Sequence, residues 1–264
     1  MQAILYVGHG SRVQEGNEQL RAFVSKIQAR FPQIPIQETA FIELEQPTIQ
    51  EGIEACRKQG ATHIAVIPIL LLSAGHAKID IPNEIKSAME KHPTLIFTYS
   101  QPIGVEKIVI DILKERLLSV GVEHITGRPD SESRENKAVL LIGRGSSDPD
   151  ANSDLMKISR LLWEYTPIKR VEVSYLAATE PTVDEGLERL LKEPVEEIIM
   201  LPYLLFTGVL MKSLEKKLNQ VQKTTEKKLS LGMYLGFDDK LVDIVSLRVR
   251  QGLKGESEWL TLSR

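Results

Sequence analysis

Several stretches of this 264-residue chain occur twice, in constant register, and only a fold that is itself used twice satisfies such a pattern. LYVGHGSR (residues 5–12) aligns with LLIGRGSS (140–147) at an offset of 135. FIELEQPTIQEGIEA (41–55) aligns with YLAATEPTVDEGLER (175–189), and IAVIPILLLSAGHAK (64–78) with IIMLPYLLFTGVLMK (198–212), both at an offset of 134. Pro47 falls on Pro181, Gly52 on Gly186, Pro68 on Pro202 and Lys78 on Lys212. The two halves are one fold repeated.

Within each half, short apolar runs alternate with helical periodicity, the pattern of a parallel α/β sheet. Strands are predicted over 2–8, 34–41, 63–71 and 95–99, then over 138–142, 170–176, 196–204 and 230–235. Helices are predicted over 11–31, 47–59, 77–91 and 105–120, then over 152–165, 182–191, 210–223 and 239–253. Runs such as HIAVIPILL are apolar along their length, as burial on both faces requires. Pro47 and Pro181 are placed in the first helical turn, where a missing N–H does no harm. The polar, turn-rich stretch EHITGRPDSESRENK (123–137) reads as a linker between an N-terminal lobe, 1–122, and a C-terminal lobe, 138–264. Two flavodoxin-like lobes facing a cleft is the economical architecture.

Composition excludes several functions. At 42% hydrophobic and 26% charged residues the chain can bury a core, and a net charge of −3 gives no global attraction to nucleic acid or an anionic membrane. The N-terminus reads as a strand and not as a signal peptide. The longest apolar run, 64–72, is interrupted by Pro68 and too short to span a bilayer. The expectation is a soluble, cytoplasmic protein. A single cysteine, Cys56, excludes an internal disulfide, and its alignment with Leu190 makes it a small apolar helix residue.

Residues that recur serve the fold; residues found in one half only need another reason. His9 is replaced by Arg144, Glu43 by Ala177 and His76 by Leu210. Each of the three follows a strand, at the carboxyl ends where open α/β sheets hold ligands. In a 2-1-3 strand order those strands are neighbours at roughly 4.8 Å, so the side chains can converge. Two imidazoles and a carboxylate suit Fe(II), Co(II), Ni(II) or Zn(II) without choosing among them. Taken singly, each has a plainer reading: His9 as a turn residue, His76 as a helix cap, Glu43 as an exposed carboxylate like its neighbour Glu45. Their joint loss from the sister repeat favours chemistry. His63, His92 and His124 lack this pattern and read as solvated.

GHGSR and GRGSS lack the GxGxxG spacing, so no nicotinamide or flavin is assigned. Their glycines permit a tight strand-to-helix turn, whose backbone amides suit a carboxylate. The lysines between 212 and 228 are interrupted by Glu215 and Glu226, a solvated helix face and not a nucleic-acid patch.

ILYVGHGSR, FIELEQPTI, ATHIAVIPILLLSAGHAKIDIP and IGRGSSDPD resemble the long, two-domain sirohydrochlorin chelatases of bacilli, and the likeness runs to about Gly236. The resemblance implies insertion of Fe(II) into sirohydrochlorin to give sirohaem and two protons, with cobalt insertion toward cobalamin as the near alternative. It implies metal-binding and catalytic roles for His9 and His76, with Glu43 as the acidic partner. It implies one active centre per chain, no tightly bound cofactor, and the divalent metal (Fe, Co or Ni) as a substrate. Because that macrocycle is a polycarboxylate, Arg12, Lys78, Arg144 and Lys212 are candidate substrate-binding residues. The apolar stretch 203–211 is a candidate surface for the ring or simply a core strand and turn. A non-catalytic metal or tetrapyrrole carrier and a two-lobed solute-binding protein are the readings from other classes.

Overall fold

The computed structural model describes residues 1–123, 129–130, 132–206 and 209–255. It contains two four-stranded, all-parallel sheets. The first has strands β1 (Gln2–Gly8), β2 (Ile36–Phe41), β3 (His63–Pro68) and β4 (Ile96–Tyr99) in the order β2-β1-β3-β4. The second repeats that order as β6-β5-β7-β8, with β5 at Glu135–Gly143, β6 at Ile168–Tyr175, β7 at Glu197–Pro202 and β8 at Lys228–Leu231. The helices are α1 (Gln14–Gln28), α2 (Ile49–Lys58), α3 (Ile81–Lys91), α4 (Lys107–Leu118), α5 (Pro149–Glu164), α6 (Val183–Lys192), α7 (Val209–Gln222) and α8 (Leu241–Lys254). All predicted elements are present, with ends shifted by a few residues. The expected linker is shorter than 123–137, since β5 begins at Glu135.

The central strand of each sheet is buried on both faces, which explains its unbroken apolar sequence. Ala3, Leu5 and Val7 of β1 share one core cluster with Ile49 and Ile53 of α2 and Ile81 and Ile85 of α3. The alternate residues Ile4 and Tyr6 are equally buried on the opposite face. Cys56 sits in the first cluster as the small apolar residue expected.

Pro47 and Pro181 do not occupy the first helical turn. Each precedes a threonine N-cap and follows a cis peptide bond. Thr48 accepts the Glu51 N–H while the Glu51 carboxylate accepts from the Thr48 backbone, and Thr182 and Glu185 repeat this capping box. The cap threonine, not the proline, satisfies the orphan amides and therefore sets the start of the helix.

The chain packs as two compact units, Met1–Gly104 with Phe237–Arg264, and Val105–Gly236. The division at 1–122 and 138–264 follows the repeat, whereas packing exchanges the last helix of each half. In the first unit α8 lies on β3, β4 and α1, where Ser100 Oγ donates to Arg248 O (2.9 Å) and Thr98 Oγ1 to Gly252 O (2.8 Å). In the second, α4 lies on α5, and Arg116 donates to the carbonyls of Tyr234 and Leu235 (3.2 and 3.1 Å).

Candidate metal centre

The 2-1-3 order places the carboxyl ends of β2, β1 and β3 side by side in the first unit. His9 follows the last residue of β1. Glu43 lies two residues beyond β2, and its loop is stitched to the neighbouring one: Ile42 N–H donates to Gly8 O (2.9 Å) and Glu43 N–H to His9 O (3.1 Å). The turn requires Gly10, whose φ is +90° and where a Cβ would lie 1.8 Å from Glu43 O. His76 comes after the loop that leaves β3 and opens a single π-helical turn, His76–Asp80, that runs into α3. Tyr99 Oη ties this turn to β4 by donating to Ala77 O (2.8 Å).

One ligand atom from each of His9, Glu43 and His76 lies within 4.8 Å of the other two. His9 Nε2 is 3.5 Å from Glu43 Oε1, and the imidazole rings meet edge to face with centroids 4.7 Å apart. The side chains are 18%, 48% and 31% exposed for His9, Glu43 and His76, so the cluster is open to solvent at one side.

Hydrogen bonding assigns the tautomers. His9 Nδ1 lies 3.0 Å from Gly10 O, and a carbonyl only accepts, so Nδ1 carries the proton. His76 Nδ1 lies 2.7 Å from Asp80 Oδ2 and donates likewise. Each ring therefore presents the lone pair of Nε2, as metal-binding imidazoles held by a carbonyl or carboxylate do.

The second unit keeps the scaffold without the chemistry. Leu176 N–H donates to Gly143 O (3.0 Å) and Ala177 N–H to Arg144 O (2.9 Å), matching the first unit bond for bond. Gly145 has φ +89°, and its Cβ would lie 1.9 Å from Ala177 O. Among the described residues, His9, Glu43 and His76 form the one group of this kind.

The basic candidates are spread out. Arg12 is exposed and lines a depression of about 560 Å³ with Ser11, Asn17, Arg21 and Glu45. Lys78 lies half-buried in the π turn, two residues after His76. Arg144 is exposed at the second glycine turn, and exposed Lys212 shares a shallow surface with Lys216 of α7 and with Lys223 just beyond its end. In the stretch 203–211, Tyr203, Leu204 and Leu205 are buried, Leu210 is exposed, and Thr207 and Gly208 lie outside the described residues.

Two expectations change. Glu45 is not a solvated carboxylate like its neighbour: it is half-buried and takes hydrogen bonds from Asn17 Nδ2 and from Arg21 Nη2 (3.3 Å). His92 is half-buried beside Glu54 (3.6 Å), whereas His63 is exposed as expected and His124 lies outside the described residues. Asp80 was missed. Its signal lies in the repeat, since it stands four residues after His76 and aligns with Leu214.

Parallel four-stranded units in duplicate, with two imidazoles and a carboxylate gathered at the strand ends of the first, define a double α/β protein of the chelatase type. The CbiX family model matches residues 3–120 and again 138–252, and the chain belongs to that family. It is 46% identical over 257 residues to the sirohydrochlorin cobaltochelatase of Priestia megaterium, covering 97% of this chain and 81% of that one. It is 42% identical over 250 residues to the sirohydrochlorin ferrochelatase of Bacillus subtilis strain 168, covering 95% and 91%. The solved structure of SirB from Bacillus subtilis with Fe3+ superposes with a TM-score of 0.85 at 40% identity, covering 98% of both chains.

Proposed function

We propose that this chain is a sirohydrochlorin chelatase that inserts Fe(II) into sirohydrochlorin, with His9, Glu43 and His76 receiving the metal. The observation that carries this reading is the convergence of those three side chains within 4.8 Å in one repeat and their replacement in the other. The chelatase relatives cover nearly the whole chain, which supports the same reaction here.

The chemistry asks for a metal that is held and then surrendered. Two neutral imidazoles and one carboxylate bind a first-row divalent ion, yet are weaker than the macrocycle's four nitrogens, whereas thiolates would retain some ions. Insertion displaces two protons from ring nitrogens. As the metal leaves, the Nε2 atoms of His9 and His76 become free to accept them, and imidazole is suited to that exchange near neutral pH. Two positive charges depart and two arrive, so the net charge of the site is unchanged. Glu43 beside His9, and Asp80 beside His76, stabilise the imidazolium ions that form. Arg12, Lys78, Arg144 and Lys212 are the side chains proposed to meet the macrocycle's carboxylates, and the protein acts as a monomer in the cytoplasm.

The test is anaerobic insertion into sirohydrochlorin, followed by absorbance, with Fe(II) and Co(II) in parallel. Rapid insertion by the wild type, lost in His9→Ala and His76→Ala, is the expected result. A rate no faster than that without protein overturns the enzyme and leaves a metal or tetrapyrrole carrier. Faster turnover with Co(II) favours the second reading, a cobaltochelatase, which the 46% identical relative supports.

A further inference from the structure

We infer that Arg21 and Glu45 are positioning residues that clamp the loop carrying Glu43. This rests on the reading of Glu43 as a metal-receiving side chain. Glu45 Oε2 accepts from Asn17 Nδ2, and Oε1 accepts from Arg21 Nη2 (3.3 Å) and from the Gln46 backbone N–H (3.1 Å). The same Arg21 nitrogen donates to Gln46 O (2.6 Å), and the guanidinium stacks over the Phe41 ring, 4.7 Å from its centroid. Phe41 ends β2 and Gln46 follows Glu45, so Arg21 grips both sides of the 42–45 segment from α1.

The second repeat is an internal control. There Met156 stands for Arg21 and Thr179 for Glu45, while Asn152 keeps the place of Asn17 and donates to Ser146 O (2.8 Å) as Asn17 does to Ser11 O (2.8 Å). Leu44 and its counterpart Ala178 nevertheless have almost the same backbone, with φ of 65° and 63°. The loop therefore folds without the clamp. Nor is the Arg21–Glu45 ion pair a sufficient reason in stability, since partly exposed pairs contribute little to it. The clamp occurs only where the loop carries a carboxylate. Glu43 is the most exposed of the three side chains, and holding its backbone still lowers the entropy lost on binding a metal.

The test uses the full-length protein and the replacements the sister repeat already tolerates. Co(II) affinity is titrated by visible absorption for the wild type, Arg21→Met, Glu45→Thr, Glu43→Ala and the Glu43→Ala/Glu45→Thr pair, with thermal unfolding of each. Arg21→Met and Glu45→Thr are expected to weaken Co(II) by roughly tenfold, in the range of residues that orient metal ligands, with little change in unfolding temperature. In steady-state insertion they raise KM for the metal and leave kcat nearly intact. Glu45→Thr adds nothing once Glu43 is alanine, because its effect passes through that side chain. Wild-type affinity in both clamp variants overturns the proposal, as does an equal loss from Glu45→Thr in the Glu43→Ala background. Wild-type affinity in Glu43→Ala itself overturns instead the underlying reading of the site.

Discussion

His76 Nδ1 donates to Asp80 Oδ2 across 2.7 Å within one π-helical turn, and neither residue survives in the second repeat, where Leu210 and Leu214 stand. The bond fixes the orientation of the ring, whose centroid lies 4.7 Å from that of His9. Asp80→Asn keeps the size and weakens the charge-assisted bond, and Asp80→Ala removes it. Asp80→Ala is expected to lower Co(II) affinity by about 10- to 100-fold, with Asp80→Asn intermediate, as read by metal titration.

The paired glycine turns separate the scaffold from the site. Gly10→Ala and Gly145→Ala introduce the same clash with a carbonyl at the same positive φ, so each should destabilise its unit by more than the roughly 1–3 kcal/mol of backbone strain alone. Only Gly10→Ala displaces the loop of Glu43. Urea unfolding should therefore record similar losses, while Co(II) titration records a loss in Gly10→Ala alone.

The two capping boxes are equivalent by sequence and by geometry. Thr48→Ala and Thr182→Ala should each remove about 1 kcal/mol, and the double variant about the sum, since the caps lie in different compact units. Denaturant titration with probes for each unit checks both values.

Burial pushes the Cys56 thiol from its ordinary value to about 12. The folded chain thus holds a proton that the unfolded chain releases first as pH rises. Any effect of this group on stability is absent below the ordinary thiol range, and stability falls as pH climbs from there toward 12. At pH 9 the thiolate fraction is on the order of a thousandfold lower in the native state, so alkylation by iodoacetamide should be slow until urea unfolds the chain. Rapid labelling of the native protein would contradict this burial.

No helix among the described residues is long and apolar enough to cross a membrane, consistent with the broken apolar run at 64–72. The duplicated parallel α/β fold and the three converging side chains were legible because they rest on local pattern. Strand periodicity sets the sheets, strand ends set the site, and comparing the halves separates fold from chemistry at His9, Glu43 and His76.

What the sequence by itself determined is therefore the repeat, the class of each sheet and which three side chains meet at the strand ends of the first. Tertiary structure alone decided which sheet each terminal helix covers. The apolar faces of α4 and α8 announce burial but not a partner, and only complementary contacts such as Ser100 to Arg248 and Arg116 to Tyr234 select one. It also decided how these three side chains are held. Asp80 and Glu45 are ordinary acidic residues in sequence, and they acquire a role only because folding places an imidazole beside one and an α1 arginine beside the other. A side chain's type is fixed by the chain, but its partner is fixed by packing.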